Sequence, residues 1–260
     1  VLKVGNTEYE QTYTIVPTIM TIYRGYTWAD IQIGNTPVRF VTTHLESLWD
    51  DNKVPNAAIQ AQQLIKDLKE TKMPVVVMGD FNSDPRDPRM PANPNPGEQP
   101  VASDACPAGT SKCNAYLLMT EAGFTDSGPD PLLPENYTWG MNALLTGPDP
   151  VRLKVAKQLG NYAGYTDRLD YIFVKNGIKV SLAGLVGSIA PNNLNTDHAG
   201  VVATLEIPAS STERSADLPE PAPFPISFWQ WGGIAAIASI IALIIRKRRR
   251  LKRPPLVESW

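Results

Sequence analysis

The sequence predicts a layered α+β domain that is followed by one membrane-spanning helix. Over residues 1–207, apolar runs with strand character alternate with stretches of helical periodicity, a pattern typical of domains in which helices cover a sheet. Residues 226–245 form a run of twenty residues without a charge, which is long enough to cross a bilayer. A linker rich in Pro and Ser, residues 208–225, separates the two, and a basic tail follows at 246–260.

The spacing of apolar residues predicts the elements of the domain. The first forty residues suggest extended segments. Alternating or continuous apolar runs predict strands over residues 38–45, 75–78, 170–174, 178–187 and 201–207. Apolar residues at helical spacing predict helices over residues 56–70 and 114–122. Asn56 is a candidate N-cap of the first helix, and Gly123 a candidate C-terminal stop of the second.

The net charge of -2 hides an uneven distribution along the chain. Seven of the 24 basic residues lie in the run 246–253, which leaves 17 basic against 25 acidic residues before it. An acidic surface does not attract nucleic acid through the non-specific phosphate term, although a local basic cleft stays open as an alternative. Because basic flanks stay in the cytoplasm, we expect a single-pass protein of the cell membrane with its domain extracytoplasmic and its C-terminus cytoplasmic. A processed C-terminal sorting signal is the alternative, although LPEPA at 218–222 lacks the usual sortase pattern.

The two cysteines of the chain, Cys106 and Cys113, flank a short polar loop. A disulfide between them suits an oxidising compartment, and two free thiols are the alternative. A zinc site is disfavoured, because no His or further Cys lies nearby in the sequence to complete four ligands.

Chemistry-bearing side chains collect at the ends of predicted strands. They are His44, Asp80, Asn82, Asp170, Asp197 and His198. Each has an ordinary structural interpretation as well, since such residues are common in turns. On an extended backbone, Asp80 and Asn82 would point the same way. Carboxylates bind a hard cation such as Mg²⁺, and phosphodiester hydrolysis also needs a base, an acid and donors for the developing charge.

Four motifs occur along the chain in a fixed order: THL, GDFNSDP, RLDYIFV and TDHAGV. In this order they resemble the motifs of the endonuclease/exonuclease/phosphatase superfamily, which includes deoxyribonucleases, apurinic endonucleases, bacterial sphingomyelinases and inositol polyphosphate phosphatases. The resemblance covers residues 20–207. It implies a four-layer αββα sandwich, in which two packed sheets are covered by helices on both sides, and a phosphodiesterase that uses Mg²⁺ or Mn²⁺.

The resemblance implies a role for each of these side chains. His44 would lie near the leaving group as an acid or as a donor to the phosphate. Asp80 would help to activate the water, and Asn82 would contact the phosphate. Asp170 would orient His198, which would contact the phosphate or share in the base work. The implied metal ligands are Asp80, Asn82 and Asp197.

Two parts of the superfamily pattern are less clear in this sequence: a loop near the cleft and the early strands. Residues 137–139 match a loop near the cleft, with packing alone as the alternative. The superfamily's early strands supply an Asn and a metal-binding Glu, and no matching segment precedes residue 20. We therefore expect that an N-terminal part of the domain is absent, and that the chain alone is inactive and unstable, because unpaired edges and an uncovered apolar face promote aggregation.

The sequence leaves the substrate open among nucleic acid, phospholipid headgroups and small phosphate esters. The predicted membrane helix mildly favours lipid, and the acidic surface mildly disfavours long nucleic acid. A catalytically silent, membrane-anchored binding or scaffold protein with the same fold is the alternative from another class. No obligate protein partner is indicated.

Overall fold

The computed structural model of the protein describes residues 1–16, 20–48, 54–89, 101–140, 150–187 and 196–209. All of them belong to the compact unit Val1–Glu213. No helix within these ranges has the length and apolarity needed to cross a membrane. The predicted membrane helix 226–245 and basic tail 246–260 lie outside the described residues, and so does nearly all of the linker, whose first two residues alone are described.

Strands dominate the described part of the chain. The strands are β1 (Lys3–Glu8), β2 (Tyr13–Val16), β3 (Met20–Ile22), β4 (Gly25–Ile33), β5 (Thr36–His44), β6 (Val75–Asp80), β7 (Thr125–Asp126), β8 (Asp170–Lys175), β9 (Lys179–Val186) and β10 (Gly200–Glu206). The helices are α1 (Asn56–Leu68), α2 (Ala115–Glu121) and α3 (Pro150–Leu159). All predicted strands and both predicted helices are confirmed, with ends that differ by a few residues.

Six strands form one mixed sheet in the order β1-β4-β5-β6-β8-β7. The β5–β6 pair is parallel, and every other pair in this sheet is antiparallel. Helix α1 connects the parallel strands, as a crossover connection requires. Consequently β5 and β6 end at the same edge of the sheet where the antiparallel β8 begins.

The two faces of the six-stranded sheet are covered differently. One face packs against α1 and α2 around buried Val41, Val77 and Phe173. On the other face, Val38 and Val76 pack against Leu205 at the end of β10. This arrangement is a mixed, sheet-dominated α+β sandwich.

Two smaller sheets are also described, each of two antiparallel strands: β2–β3 and β9–β10. The β9–β10 pair is the second layer of the sandwich. Its inner face packs on the large sheet, whereas Leu182, Val186 and Val202 on its outer face are exposed. Three of the four predicted layers are thus described: helices, large sheet and small sheet. The outer helical layer stays a prediction.

Two local predictions need correction. Asn56 is the first residue of α1 and not its N-cap, since Pro55 precedes the helix without a capping side chain. The Asn56 side chain instead donates to the Leu48 carbonyl and accepts from Gln11. The strand predicted over residues 75–78 is longer than predicted, because β6 continues into the GDFNSDP motif as far as Asp80. Strand pairing with β5 and β8 carries the backbone further than its apolar run indicates.

The cysteine alternatives are decided in favour of the disulfide. Cys106 and Cys113 are bonded, with their Cα atoms 5.5 Å apart. The bond closes the loop that precedes α2.

Candidate active site

Three candidate side chains lie side by side in the register of the large sheet. His44 at the end of β5 pairs with Asp80 at the end of β6, and Asp80 pairs with Asp170 at the start of β8. Gly79 permits this close pairing, because its φ is +144° and a Cβ would lie 1.9 Å from the Thr43 carbonyl oxygen. The sequence therefore delivers one row of candidate functional groups to one sheet edge. We call it the catalytic row (His44, Asp80, Asp170), after the roles that the sequence predicts for these residues.

His198, just before β10, completes the group. Its Nδ1 lies 2.8 Å from Asp170 Oδ2, and its Nε2 lies 3.9 Å from Asp80 Oδ2. His44 Nε2 lies 3.3 Å from the same Asp80 oxygen. The His44 side chain is 53% exposed and that of Asp80 only 12%, so the row opens to solvent on the His44 side.

The surroundings of the row shift the pKa values of Asp80, His44 and the neighbouring His198. Burial, together with the nearby Asp170 charge, raises the pKa of Asp80 to about 7. Burial lowers the pKa of His44, and Arg24 and His198 add to this. Burial also acts to lower the pKa of His198, but the hydrogen bond and the charge of Asp170 outweigh it and the pKa is raised. Near neutral pH, Asp80 is poised to exchange a proton, whereas His44 tends to be neutral and His198 charged.

A cation could be held where Asp80, Asp170 and His198 converge. One ligand atom from each lies within 4.8 Å of the others. The proposed ligand Asn82 is adjacent: its N–H donates to Asp80 Oδ1 at 2.8 Å. Asp197, the other proposed ligand, lies outside this group and accepts from the Trp139 indole at 3.2 Å.

The side-chain direction of Asn82 differs from the extended-backbone expectation. Its φ is 44°, in the left-handed region, and its Nδ2 donates to the Leu45 carbonyl at 2.8 Å. The chain turns directly after Asp80, since the Asp80 carboxylate caps the turn through the Asn82 N–H. Asn82 therefore ties the end of β6 to the residue that follows His44.

Sequence reasoning missed a buried ion network directly below the row. Asp84 Oδ1 accepts from Arg86 Nε at 2.7 Å, and Asp84 Oδ2 accepts from the Arg168 N–H at 2.8 Å. Arg89 pairs with Asp87 and Asp167. The alternating charges of DPRDPR at 84–89 are compatible with such pairing, but they do not indicate that the charges are buried. The network fixes the backbone from which Asp170 projects.

The loop at residues 137–140 joins the two halves of the site. Trp139 forms isolated β-bridges with Asp167 on one side and with His198 on the other. Tyr137 is buried beneath the Arg86 guanidinium, 4.5 Å from its ring centroid. The loop is therefore part of the site's framework as well as packing.

Comparison with known proteins places the chain in a family. The sequence model of the Endonuclease/Exonuclease/phosphatase family matches residues 9–198. The chain belongs to this family. Members of the Endonuclease/Exonuclease/phosphatase family are generally hydrolases that act on phosphate esters, and they typically use divalent metals. The resemblance seen in the four sequence motifs is thereby confirmed.

Several solved structures are similar to the chain. An endonuclease/exonuclease/phosphatase from Bacteroides vulgatus has a TM-score of 0.46 and 20% identity, over 78% of this chain and 65% of its own. A mannosyl-6-phosphatase from Bacteroides thetaiotaomicron has a TM-score of 0.44 and 15% identity, over 80% and 67%. TDP2 from D. rerio, in complex with a single-strand DNA product, has 0.43 and 16%, over 78% and 68%.

The chain spans about two thirds of the length of these structures, 65% in the first case. No curated protein sequence matches the chain.

Proposed function

We propose that the protein hydrolyses phosphodiester or phosphate-ester bonds with the help of Mg²⁺ or Mn²⁺. The observation that carries the proposal is the convergence of Asp80, Asp170 and His198 beside His44 at one sheet edge. Each comes from a different segment of the chain, and the strand register brings three of them into one row. A turn or a cap would not require four such groups together.

The donor set fits a hard divalent cation. Among the described residues, the ion-pair partners within 4.0 Å of Asp80 and Asp170 are His44 and His198, so no arginine or lysine neutralises this pair of carboxylates. Their mutual repulsion contributes to the raised pKa of Asp80. Carboxylate oxygens are the ligands that Mg²⁺ and Mn²⁺ prefer. A cation bound there would polarise the phosphoryl group and stabilise the charge that develops on its oxygens.

The protein's own groups supply the proton transfers. As a water oxygen attacks phosphorus, Asp80 takes the water proton. The bond from phosphorus to the leaving oxygen breaks, and His198 donates a proton to that oxygen. In this role His198 leaves the cation to the two carboxylates, and the hydrogen bond to Asp170 favours its charged form. His44, neutral and more exposed, donates a hydrogen bond to the phosphate. Asn82 holds the turn and also contacts the phosphate.

The experiment is a substrate panel on the full-length protein. DNA, sphingomyelin, inositol phosphates and bis(p-nitrophenyl) phosphate are assayed with Mg²⁺ and with excess chelator. We expect Mg²⁺-dependent hydrolysis of at least one of these substrates, and loss of that activity in Asp80→Ala. Absence of turnover on every substrate, with the protein folded and Mg²⁺ bound, would favour the silent binding or scaffold protein instead.

We also propose that residues 226–245 anchor the protein in the cell membrane with the domain outside. The support is the charge-free run followed at once by seven basic residues in 246–253. Protease added to intact cells should digest the domain and spare the tail. Protection of the domain in intact cells, with digestion after lysis, would contradict the proposed orientation.

A further inference from the structure

The bridging segment, residues 137–140, lies between the two loops that supply Asp170 and His198. On one side, the Trp139 N–H donates to the Asp167 carbonyl at 2.9 Å. On the other side, the Gly140 N–H donates to the Asp197 carbonyl at 3.1 Å. The segment therefore acts as a short strand that fixes the spacing of the two loops.

Thr138 is the residue of this segment that reaches both catalytic partners. Its side chain is fully buried. Its carbonyl accepts from the N–H of Ala199, next to His198, at 2.7 Å. Its Oγ1 accepts from the N–H of Leu169 at 3.0 Å and from that of Asp170 at 3.2 Å.

The double acceptor role needs a hydroxyl. Buried backbone N–H groups require a partner, and a threonine oxygen has two lone pairs to offer to two donors. Valine has the same shape and no acceptor. It would therefore leave the N–H groups of Leu169 and Asp170 without this partner, and Asp170 is the residue that holds His198. Packing alone would be satisfied equally well by valine.

We propose that Thr138 is a positioning residue for the Asp170–His198 pair, a role that rests on the proposed function of that pair. It acts through the backbone of Asp170 and Ala199 and does not touch substrate. A displacement of about 1 Å in such a pair is enough to reduce turnover on the order of 10²-fold. Thr138→Val should therefore lower kcat by roughly 10-fold or more with little change in KM, and Thr138→Ser should restore it.

The test combines kcat with a readout that does not depend on turnover, the NMR resonances of the His198 ring. Two-dimensional ¹H–¹⁵N spectra of the full-length protein record the ring nitrogens of His198, identified by their loss in His198→Ala. We expect Thr138→Val to shift these resonances and to leave those of His44 in place, with a cooperative thermal transition retained. Thr36→Val is the matched control, because Thr36 is also buried and its hydroxyl donates to the Pro208 carbonyl at the opposite end of β5.

Each outcome decides the matter. Unchanged His198 resonances in Thr138→Val overturn the proposal, whether or not kcat falls, and so does an equal shift in Thr36→Val. Shifted His198 resonances in Thr138→Val, together with a wild-type protein that hydrolyses nothing, would support the positioning role and contradict the proposed function. If Thr138→Val does not fold, Thr138→Cys, whose sulfur is a weak acceptor of similar size, is judged by the same criteria.

Discussion

Asp80 and Asp84 are four residues apart in the same motif, and the structure treats their charges in opposite ways. Asp84 is fully buried, yet Arg86 and the Arg168 N–H satisfy its carboxylate. Burial acts to raise the pKa of Asp84, but these partners and Arg89 outweigh it and the pKa is lowered. Asp80 has two histidines and another carboxylate around it instead, and its pKa is raised to about 7.

The difference distinguishes a structural carboxylate from a functional one. A buried charge that is paired and hydrogen-bonded holds parts of the fold in place. A carboxylate left beside a second carboxylate costs stability, and it is retained where a proton or a cation is to be bound. The comparison predicts that changes at Asp84 affect mainly stability and changes at Asp80 mainly activity.

The largest effect is expected on the stability side of this comparison. Asp84→Asn leaves Arg86 and Arg89 without part of their buried partner, which costs about 3–5 kcal/mol, since an uncompensated buried charge remains. That corresponds to a fall in the melting temperature of roughly 10 °C for a domain of this size. Thermal unfolding followed by circular dichroism measures it, with the exposed Asp104→Asn as the control. An unchanged melting temperature would show that the network is not structural.

Next in size is the loss of activity expected from changes in the catalytic row or at His198. Asp80→Ala or His198→Ala should lower the rate by at least about 10²-fold, the usual scale for acid–base groups. Steady-state kinetics on the best substrate of the panel gives the number, with circular dichroism to confirm the fold. A variant that stays folded and turns over at a near-normal rate removes its residue from the mechanism.

Part of this site could be predicted from the sequence and part could not. Residues such as His44 and Asp170 were found because apolar runs mark the strands and the polar residue at each end stands out. The order of strands and their register depend on long-range pairing, so the alignment of His44, Asp80 and Asp170 in one row was not predictable from spacing.

Burial of charged residues was equally hidden. The residues of DPRDPR at 84–89 look like a solvated loop, because local sequence does not indicate that Arg89 will be 3% exposed. The left-handed turn at Asn82 also escaped prediction, since it depends on the hydrogen bond to the Leu45 carbonyl. Framework contacts therefore required the structure, whereas the chemical groups themselves did not.

The smallest expected effect is on stability and concerns the charge of Asp80 itself. The pKa of Asp80 is raised from 3.8 to about 7 in the folded protein, so protonation of Asp80 stabilises the folded state. This contribution to the free energy of unfolding is complete below pH 3.8 and is lost as the pH rises through 7. A shift of this size sets an upper limit of about 4 kcal/mol on the gain in Asp80→Asn, which carries no charge. Because the substitution also removes the charge that faces His44 and His198, it should be more stable than wild type without metal at about pH 8 by about 1–2 kcal/mol, or roughly 3–6 °C.

The control for this gain is the same pair of proteins at acid pH and with Mg²⁺. The difference should shrink below about pH 4, where Asp80 is protonated in both states. Saturating Mg²⁺ should stabilise wild type more than Asp80→Asn, because a ligand that binds the native state raises its stability. A less stable Asp80→Asn in metal-free buffer at about pH 8 would mean that the Asp80 charge is compensated by other groups.

The proposed activity of the catalytic row and His198 is the hydrolysis of phosphate esters with the help of a bound divalent cation. Its most direct test is the initial rate of phosphodiester hydrolysis by the full-length protein as Mg²⁺ is added back after excess chelator. We expect no turnover in chelator, a saturable recovery with Mg²⁺, and no recovery in Asp80→Ala at the same concentrations. Full activity in excess chelator would contradict the account.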